Sequence, residues 1–422
     1  MRAGVPRLTK GCCVERAYKR AYKRAYKRRL RLSGRVTLQP AATAVPPRSG
    51  RVTYCRASRY FPGHMLKHLL LCSIGLAVHA QGAALPEIPP GHWYEIPDSS
   101  LVASGLLEGR DGSVNKITAW SSAALDPATN RLFVWGGGHA DYAGNEVYAF
   151  DLETLRWDRL SDPAQPDRER NDSYADGSPR SRHTYNYLEF VPSAKRLMSF
   201  GGAALYPYGN ISTRRISEFD PGSRRWVTGR RADVPAGGNM IGAHARLDPL
   251  SGDIFFLTSQ RATLMRYSPA DDRWREGWGG HYVRVHSTAA IDPKRRFLVL
   301  IGSGAGAAQA LRWDLDRPGP ATDLRSVTSG DTEIERAYGP GFDFHPASGM
   351  FVAWSGGTDV HMLDPADWRW TRRAPSPENR LDPGPQLSTG TFGRFRYVPA
   401  LDLFVVMNGV QRNVFVYRLA PL

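Results

Sequence analysis

The residues with the clearest capacity for chemistry stand beside β-prone runs of the chain. The stretch Arg131–Trp157, RLFVWGGGHADYAGNEVYAFDLETLRW, places His139, Asp141 and Tyr142 directly after three glycines. These residue types suit a metal site or an acid–base pair, and they are equally common in a turn between two strands. The stretch alone leaves all three interpretations open.

A second set of candidates stands where other β-prone runs begin. It consists of His183, Tyr185, His244, Arg284, His286, Tyr338 and Arg394. An arginine can pair with a carboxylate while a histidine or tyrosine moves a proton, so the set fits an anionic substrate. No spacing motif for a metal accompanies these histidines, so no cofactor is predicted. The alternative is a divalent metal held by His139, His183, His244 and His286.

The elements that position these residues form a repeat. An apolar stretch, a turn with proline and a second strongly β-prone stretch recur six times, as in AALDPATNRLFVW and DFHPASGMFVAW. The prolines are Pro127, Pro192, Pro249, Pro293, Pro346 and Pro399. Pro and the accompanying Gly, Asn or Ser residues are typical of hairpin turns. Each unit therefore begins with an antiparallel hairpin.

Two further strands follow each hairpin, and the last often ends in Arg-Trp. Six such four-stranded units predict an all-β protein, a six-bladed β-propeller. The sixth unit lacks a fourth strand, and GHWYEIP at Gly91–Pro97 matches that strand's pattern. We therefore expect an N-terminal strand to close the ring. A degenerate seventh blade within Leu101–Lys116 or Pro318–Arg336 is the alternative.

The prolines also align the candidate residues. His183 and Tyr185 lie nine and seven positions before their proline, and Arg284 and His286 have the same offsets. His244 lies five positions before its own. Side chains alternate along a strand, and all of these offsets are odd numbers. The residues should therefore lie on corresponding sides of their strands.

Several residues of the repeat resemble the kelch motif. Gly136-Gly137, Tyr148 and Trp157 match its diglycine, its third-strand aromatic and its fourth-strand tryptophan, and two further diglycines stand at residues 201–202 and 356–357. The region 91–419 thus resembles the kelch and galactose-oxidase-like propellers. That resemblance implies that the second-to-third-strand loops and the blade-to-blade loops share one face around a central channel. All the candidate residues would meet at that face.

The cysteines limit the chemistry that this resemblance implies. Galactose-oxidase-type copper chemistry requires a cysteine crosslinked to a tyrosine. Cys12, Cys13, Cys55 and Cys72 all precede Ala80, so the chain after that residue contains none. Copper radical chemistry is therefore disfavoured.

The positive charge is confined to the N-terminal segment. Residues 1–80 carry 18 Lys and Arg and one acid, whereas residues 81–422 carry 38 basic and 39 acidic residues. A nucleic-acid partner is therefore not predicted for the main domain. We interpret residues 1–64 as a non-native upstream extension or a disordered basic segment.

Residues 65–80, MLKHLLLCSIGLAVHA, match a secretory signal peptide. A start methionine, basic Lys67, a short apolar run and a small-residue cleavage site follow in order. We therefore predict an exported protein, periplasmic or extracellular, with a single propeller domain at 81–422. No transmembrane segment is predicted after cleavage.

The functional prediction is a carbohydrate site at the channel mouth, possibly for an acidic sugar. In a lyase-type reaction, His183 and Tyr185 would exchange protons with the substrate, with His286 completing the catalytic set. Arg284 or Arg394 would bind the uronate carboxylate, and His139, Asp141, Tyr142, His244 and Tyr338 would line the site. A non-catalytic kelch module for glycan or protein is one alternative. An isomerase similar to sialic-acid mutarotases is the other.

Overall fold

The computed structural model describes residues 84–421, except for 108–111, 140, 236–238 and 305. The interpretations of residues 1–64 and 65–80 therefore lie outside the described residues.

Blades one to three follow in chain order. Blade one consists of β2 (Ala123–Asp126), β3 (Arg131–Val134), β4 (Tyr148–Asp151) and β5 (Arg156–Arg159), after strand β1 (Trp93–Glu95). Blade two consists of β6 (Leu188–Val191), β7 (Arg196–Ala203), β8 (Ser212–Asp220) and β9 (Arg225–Trp226). Blade three consists of β10 (Asn239–Leu247), β11 (Ile254–Ser268) and β12 (Arg273–Val283).

The remaining blades use shorter strands. Blade four consists of β13 (Thr288–Asp292), β14 (Phe297–Ile301), β15 (Ala310–Asp314) and β16 (Thr322–Asp323). Blade five consists of β17 (Ser329–Gly330), β18 (Gly341–His345), β19 (Met350–Trp354), β20 (Val360–Asp364) and β21 (Arg369–Arg373). Blade six consists of β22 (Phe395–Val398), β23 (Leu403–Met407) and β24 (Val414–Tyr417).

The described residues form six sheets, which confirms the six-bladed, all-β prediction. The inner strands β2, β6, β10, β13, β18 and β22 each contact the next, and β22 returns to contact β2. In the described parts of the two candidate regions, no seventh blade is present. Residues 114–117 form a 3-10 helix, and the region before residue 337 adds only β16 and β17 to blades four and five.

Short 3-10 helices are the only helices among the described residues: η1 (Val114–Ile117), η2 (Leu324–Ser326), η3 (Thr332–Arg336) and η4 (Phe392–Arg394). None of these has the length and apolar character that crossing a membrane requires.

Besides blade five, which has five strands, two sheets depart from the pattern of four consecutive strands. Strand β1 pairs antiparallel with β24, with Tyr94 opposite Val416, so it is the outer strand of blade six. In blade three, β11 pairs with β10 through its first half and with β12 through its second half. Gln260, whose φ is positive, lies where that change occurs, and Arg266 of the second half pairs with Asp253 directly before the first half. Strand β11 therefore supplies both the second and the third strand positions.

The blades pack through aromatic side chains between neighbouring sheets. Phe133 of blade one stacks on Phe190 of blade two with ring centroids 5.4 Å apart, and Trp135 meets Trp226 at 4.8 Å. Such pairs add specific geometry to the burial of large apolar surfaces. The diglycine Gly136-Gly137 lies beside them, and a Cβ atom on Gly136 would stand only 2.3 Å from the carbonyl oxygen of Ile117. The repeat glycine is thus required for close packing.

Four charged residues form a cluster in the channel, three positions before the repeat prolines. The central ion cluster consists of Glu189, Arg246, Asp343 and Arg396. Arg246 donates to Glu189 at 2.8 Å and to Asp343 at 3.3 Å, and Arg396 donates to the same Glu189 oxygen at 2.9 Å. The cluster links blades two, three, five and six. It also lines a cavity of about 190 Å³ whose walls include five of the six repeat prolines.

Replacing Glu189 with glutamine should lower the free energy of unfolding by about 3 kcal/mol. Two buried arginines would then lose the carboxylate that they share. Urea denaturation measures the change, with Glu153→Gln on an exposed turn as the control. An unchanged Glu189→Gln midpoint would show that the cluster does not hold these blades together.

Candidate functional site

The backbone turns into the left-handed region seven positions before every repeat proline. The six residues and their φ angles are Trp120 (50°), Tyr185 (37°), Gly242 (72°), His286 (63°), Gly339 (52°) and Phe392 (51°). Non-glycine residues adopt this conformation at a cost of about 1–2 kcal/mol. Four bulky side chains therefore hold strained positions at the entries of the inner strands. Such strain is concentrated at functional sites.

Main-chain hydrogen bonds link these turns from blade to blade. The amide of Tyr185 donates to the carbonyl of Trp120 at 2.8 Å, and that of Gly339 donates to the carbonyl of His286 at 2.7 Å. Phe392 donates in turn to the carbonyl of Gly339 at 3.0 Å. The turns thus support one another around the channel and direct their side chains to one place.

Five aromatic side chains form a closed ring there, which we call the mouth ring: Trp120, His183, Tyr185, His286 and Tyr338. Successive ring centroids from Trp120 to Tyr338 lie 4.9, 5.8, 5.8 and 4.1 Å apart. The indole N–H of Trp120 donates to the hydroxyl of Tyr338 at 2.8 Å and closes the circle. The entries of blades one, two and four and the loop before blade five contribute to this ring.

His183 is the most unusual member of the mouth ring. Its side chain is only 3% exposed, and neither ring nitrogen has a hydrogen-bond partner among the described residues. Buried polar atoms normally have partners, so an orphaned pair requires an explanation. Burial, together with nearby His139, Lys116 and His286, lowers the pKa of His183 to about 3. The imidazole is therefore neutral at pH 7, with one free donor and one free acceptor.

His286 and Tyr338 form a hydrogen-bonded pair on the other side of the ring. The hydroxyl of Tyr338 lies 3.0 Å from Nε2 of His286. Because this hydroxyl already accepts from Trp120, its own proton can be donated to that nitrogen. Burial lowers the pKa of His286 to about 4, which keeps the imidazole neutral. Trp120, Tyr338 and His286 thus form a continuous polar chain.

Charged side chains lie at the rim beside His183. His139 stacks on His183 with centroids 5.8 Å apart, and its Nδ1 lies 3.8 Å from Asp141. Lys116 Nζ lies 3.0 Å from the same carboxylate and 5.8 Å from the centroid of the Trp120 ring. The rim therefore carries a cation within reach of the mouth ring.

Three predicted site residues lie in the core instead of at the mouth. Tyr142 is fully buried and donates to Glu146 at 2.8 Å. Burial also raises the pKa of that carboxyl. The Tyr142 side chain therefore packs inside blade one, where a substrate would not reach it.

His244 and Arg394 connect blades. Nδ1 of His244 pairs with Asn186 at 3.2 Å and Nε2 with Ser287 at 3.0 Å, and burial lowers the pKa of His244 to about 3. The guanidinium of Arg394 is fully buried, where it donates to three main-chain carbonyls, those of Ser121, Gly390 and Met407. Its donors are occupied, so it positions loops and does not face a ligand.

Arg284 lies near the mouth but outside the mouth ring. Its main-chain N–H donates to the Gln309 side chain at 2.8 Å, and its guanidinium carbon lies 5.9 Å from the centroid of the Tyr282 ring. Within the described part of the chain it forms no ion pair.

Sequence reasoning missed Trp120 and Lys116. Trp120 stands seven positions before Pro127, the offset that Tyr185 and His286 share, so the same count at the first proline would have found it. No sequence signal marks Lys116, which approaches the site only through the fold. Among the described residues, no three His, Cys, Asp or Glu side chains form a metal-binding group.

Comparison with known proteins adds similarity to solved structures. No protein-family model and no curated protein matches the chain. One similar solved structure is XC5397 from Xanthomonas campestris, described as a gluconolactonase important in glucose secondary metabolic pathways. The two are 13% identical, with a TM-score of 0.46 over 71% of this chain and 86% of that one. Neither the fold assignment nor the site described above depends on this similarity.

The buried histidines should make the protein sensitive to acid. The pKa values of His183, His244 and His286 lie below the ordinary value near 6.5, so only the unfolded chain takes up these protons as the pH falls below that value. Stability should be complete above about pH 6.5 and fall below it, by up to about 1.4 kcal/mol per pH unit for each histidine. Urea denaturation at several pH values measures the slope.

The variant His183→Gln provides the internal check on this slope. Removing one of three groups should reduce it by about a third. A stability that does not change between pH 7 and pH 5 would contradict the neutral, buried state of these rings.

Proposed function

We propose that the protein binds an acidic carbohydrate at the mouth ring and processes it by proton transfer. The observation that carries the proposal is His183, a buried neutral imidazole with two unpartnered nitrogens. A sugar hydroxyl both donates and accepts, so it can satisfy a neutral imidazole without adding charge. Leaving such a group unpaired costs about 1–3 kcal/mol, which a correctly placed ligand recovers.

The surroundings of His183 favour a sugar over an apolar ligand. Trp120 and Tyr338 are only half-buried and combine ring surface with a polar atom. Aromatic side chains with a polar end suit ligands that have both C–H surface and hydroxyls. His286 and Tyr338 add a second set of hydrogen-bonding groups across the ring.

The charges at the rim favour an acidic sugar. Lys116 approaches the ring on one side, and Arg284 lies near the mouth on the side of blade three. A carboxylate that bound Lys116 would compete with Asp141, its present partner. A bound anion would also raise the pKa of His183, because an opposite charge stabilises the imidazolium. Binding of the substrate would thereby make His183 a stronger base.

A β-elimination fits these residues. His183 would take the proton from the carbon beside the uronate carboxyl, and a carbon–carbon double bond would form as the glycosidic C–O bond breaks. Tyr338 would give a proton to the departing oxygen, with Trp120 and His286 holding the phenol. Tyr185 fits this role less well, since its ring is packed between His286 and Phe392.

One observation favours a second candidate, a non-catalytic carbohydrate-binding module. A pKa of about 3 makes His183 a weak base at neutral pH. General bases act best when their pKa lies near the working pH. Unless the bound ligand raises this pKa, the same ring would bind sugars without turnover.

The test is a panel of uronic-acid polysaccharides, followed by ultraviolet absorbance of unsaturated products and by calorimetric binding. Wild type should form product, and His183→Gln should lose at least about 100-fold in rate. The control is His345→Gln, which alters a buried histidine bonded to Ser348 and Asp402 at the proline end of blade five. Binding without turnover would select the second candidate. Neither binding nor turnover would exclude both.

We also propose that the protein is exported and that the propeller is of the kelch type. The apolar run with its small-residue cleavage site supports export, and the three diglycines support the kelch assignment. Mass spectrometry of the native N-terminus should find Gln81 as the first residue. A mature chain that retains residues upstream of Met65 would contradict the signal-peptide interpretation.

A further inference from the structure

The outer hairpin of blade three is longer than those of the other blades and borders the mouth. Strands β11 and β12 have 15 and 11 residues, and their pairing extends from Ser268 opposite Arg273 to Gln260 opposite Val283. The end of β12 leads directly through Arg284 to His286 of the mouth ring. The hairpin therefore continues the wall of the site away from the channel.

This hairpin presents an aromatic residue to solvent. Tyr282 is 60% exposed, one of few large exposed hydrophobic side chains among the described residues. Ile241, on the neighbouring β10, is exposed as well. Exposed aromatic surface beside a binding site commonly marks additional contact area for the ligand.

A cation accompanies the aromatic ring. Arg284 lies 5.9 Å from the centroid of the Tyr282 ring and is committed to no carboxylate of the described residues. Its main chain is fixed by Gln309, which is 4% exposed. A ring face next to an uncommitted guanidinium complements a sugar ring that carries a carboxylate.

We propose that Tyr282 and Arg284 form a second sugar subsite, so that the ligand is a chain of acidic sugars and not a single one. This inference rests on the proposed function of the mouth ring. His286 lies four positions after Tyr282, so their Cα atoms are at most about 14 Å apart. A short oligosaccharide spans that distance. One sugar residue would occupy the mouth ring while a following one stacks on Tyr282 and pairs with Arg284.

The experiment compares the affinities of the full-length protein for the monomer and the trimer of one uronic acid by calorimetry. Wild type should bind the trimer at least about tenfold more tightly than the monomer. Tyr282→Ala and Arg284→Met should each reduce this ratio to about threefold or less. Leu250→Ala, which removes a side chain 70% exposed in the Pro249 turn, should leave the ratio unchanged.

The outcomes separate the two proposals. Equal affinities of wild type for monomer and trimer would overturn the second subsite while leaving the mouth-ring site intact. A ratio that Tyr282→Ala does not change would also overturn it. If wild type binds neither sugar, the proposed function fails and the second subsite fails with it.

Discussion

The left-handed turn at the entry of each inner strand is the constraint on which the site depends. Six blades bring six such turns around one channel, and main-chain hydrogen bonds between neighbouring turns hold them in place. The turn places Trp120, Tyr185 and His286 at the mouth, where side chains would otherwise alternate between sheet faces. The conformational strain of these residues is offset by the packing of the whole ring, so the fold maintains the site.

Below the mouth, hydrogen bonds of buried polar side chains connect neighbouring blades. Both partners of His244 and one partner of Arg394 come from neighbouring blades, and the central ion cluster neutralises its own charges. His183 differs from them because its nitrogens are buried without partners. The other buried side chains of the described residues leave at most one such polar atom without a partner, whereas His183 leaves both ring nitrogens without one, and this provides a position for a ligand. This contrast is the strongest argument for a site at the mouth.

The sequence predicted the architecture well because the repeat prolines and glycines act locally. Each proline occupies the turn after an inner strand, and the common offset of seven marks Tyr185 and His286, whose rings meet in the mouth ring. The partners of His244 and Arg394 could not be predicted, since Asn186, Ser287, Gly390 and Met407 meet them only in the folded ring. Lys116 was missed for the same reason. The prediction of Tyr142 as a mouth residue overlooked Glu146, a buried partner four residues away.

The central claim is that a ligand forms hydrogen bonds with the unpartnered ring nitrogens of His183. Nitrogen-15 NMR of the histidine rings during titration with a uronic acid tests it directly, with His183→Gln assigning the resonances. The account predicts a saturable shift of the His183 ring nitrogens and a much smaller change for His244, whose nitrogens are already paired. A bound uronic acid that leaves the His183 resonances unchanged would contradict the account.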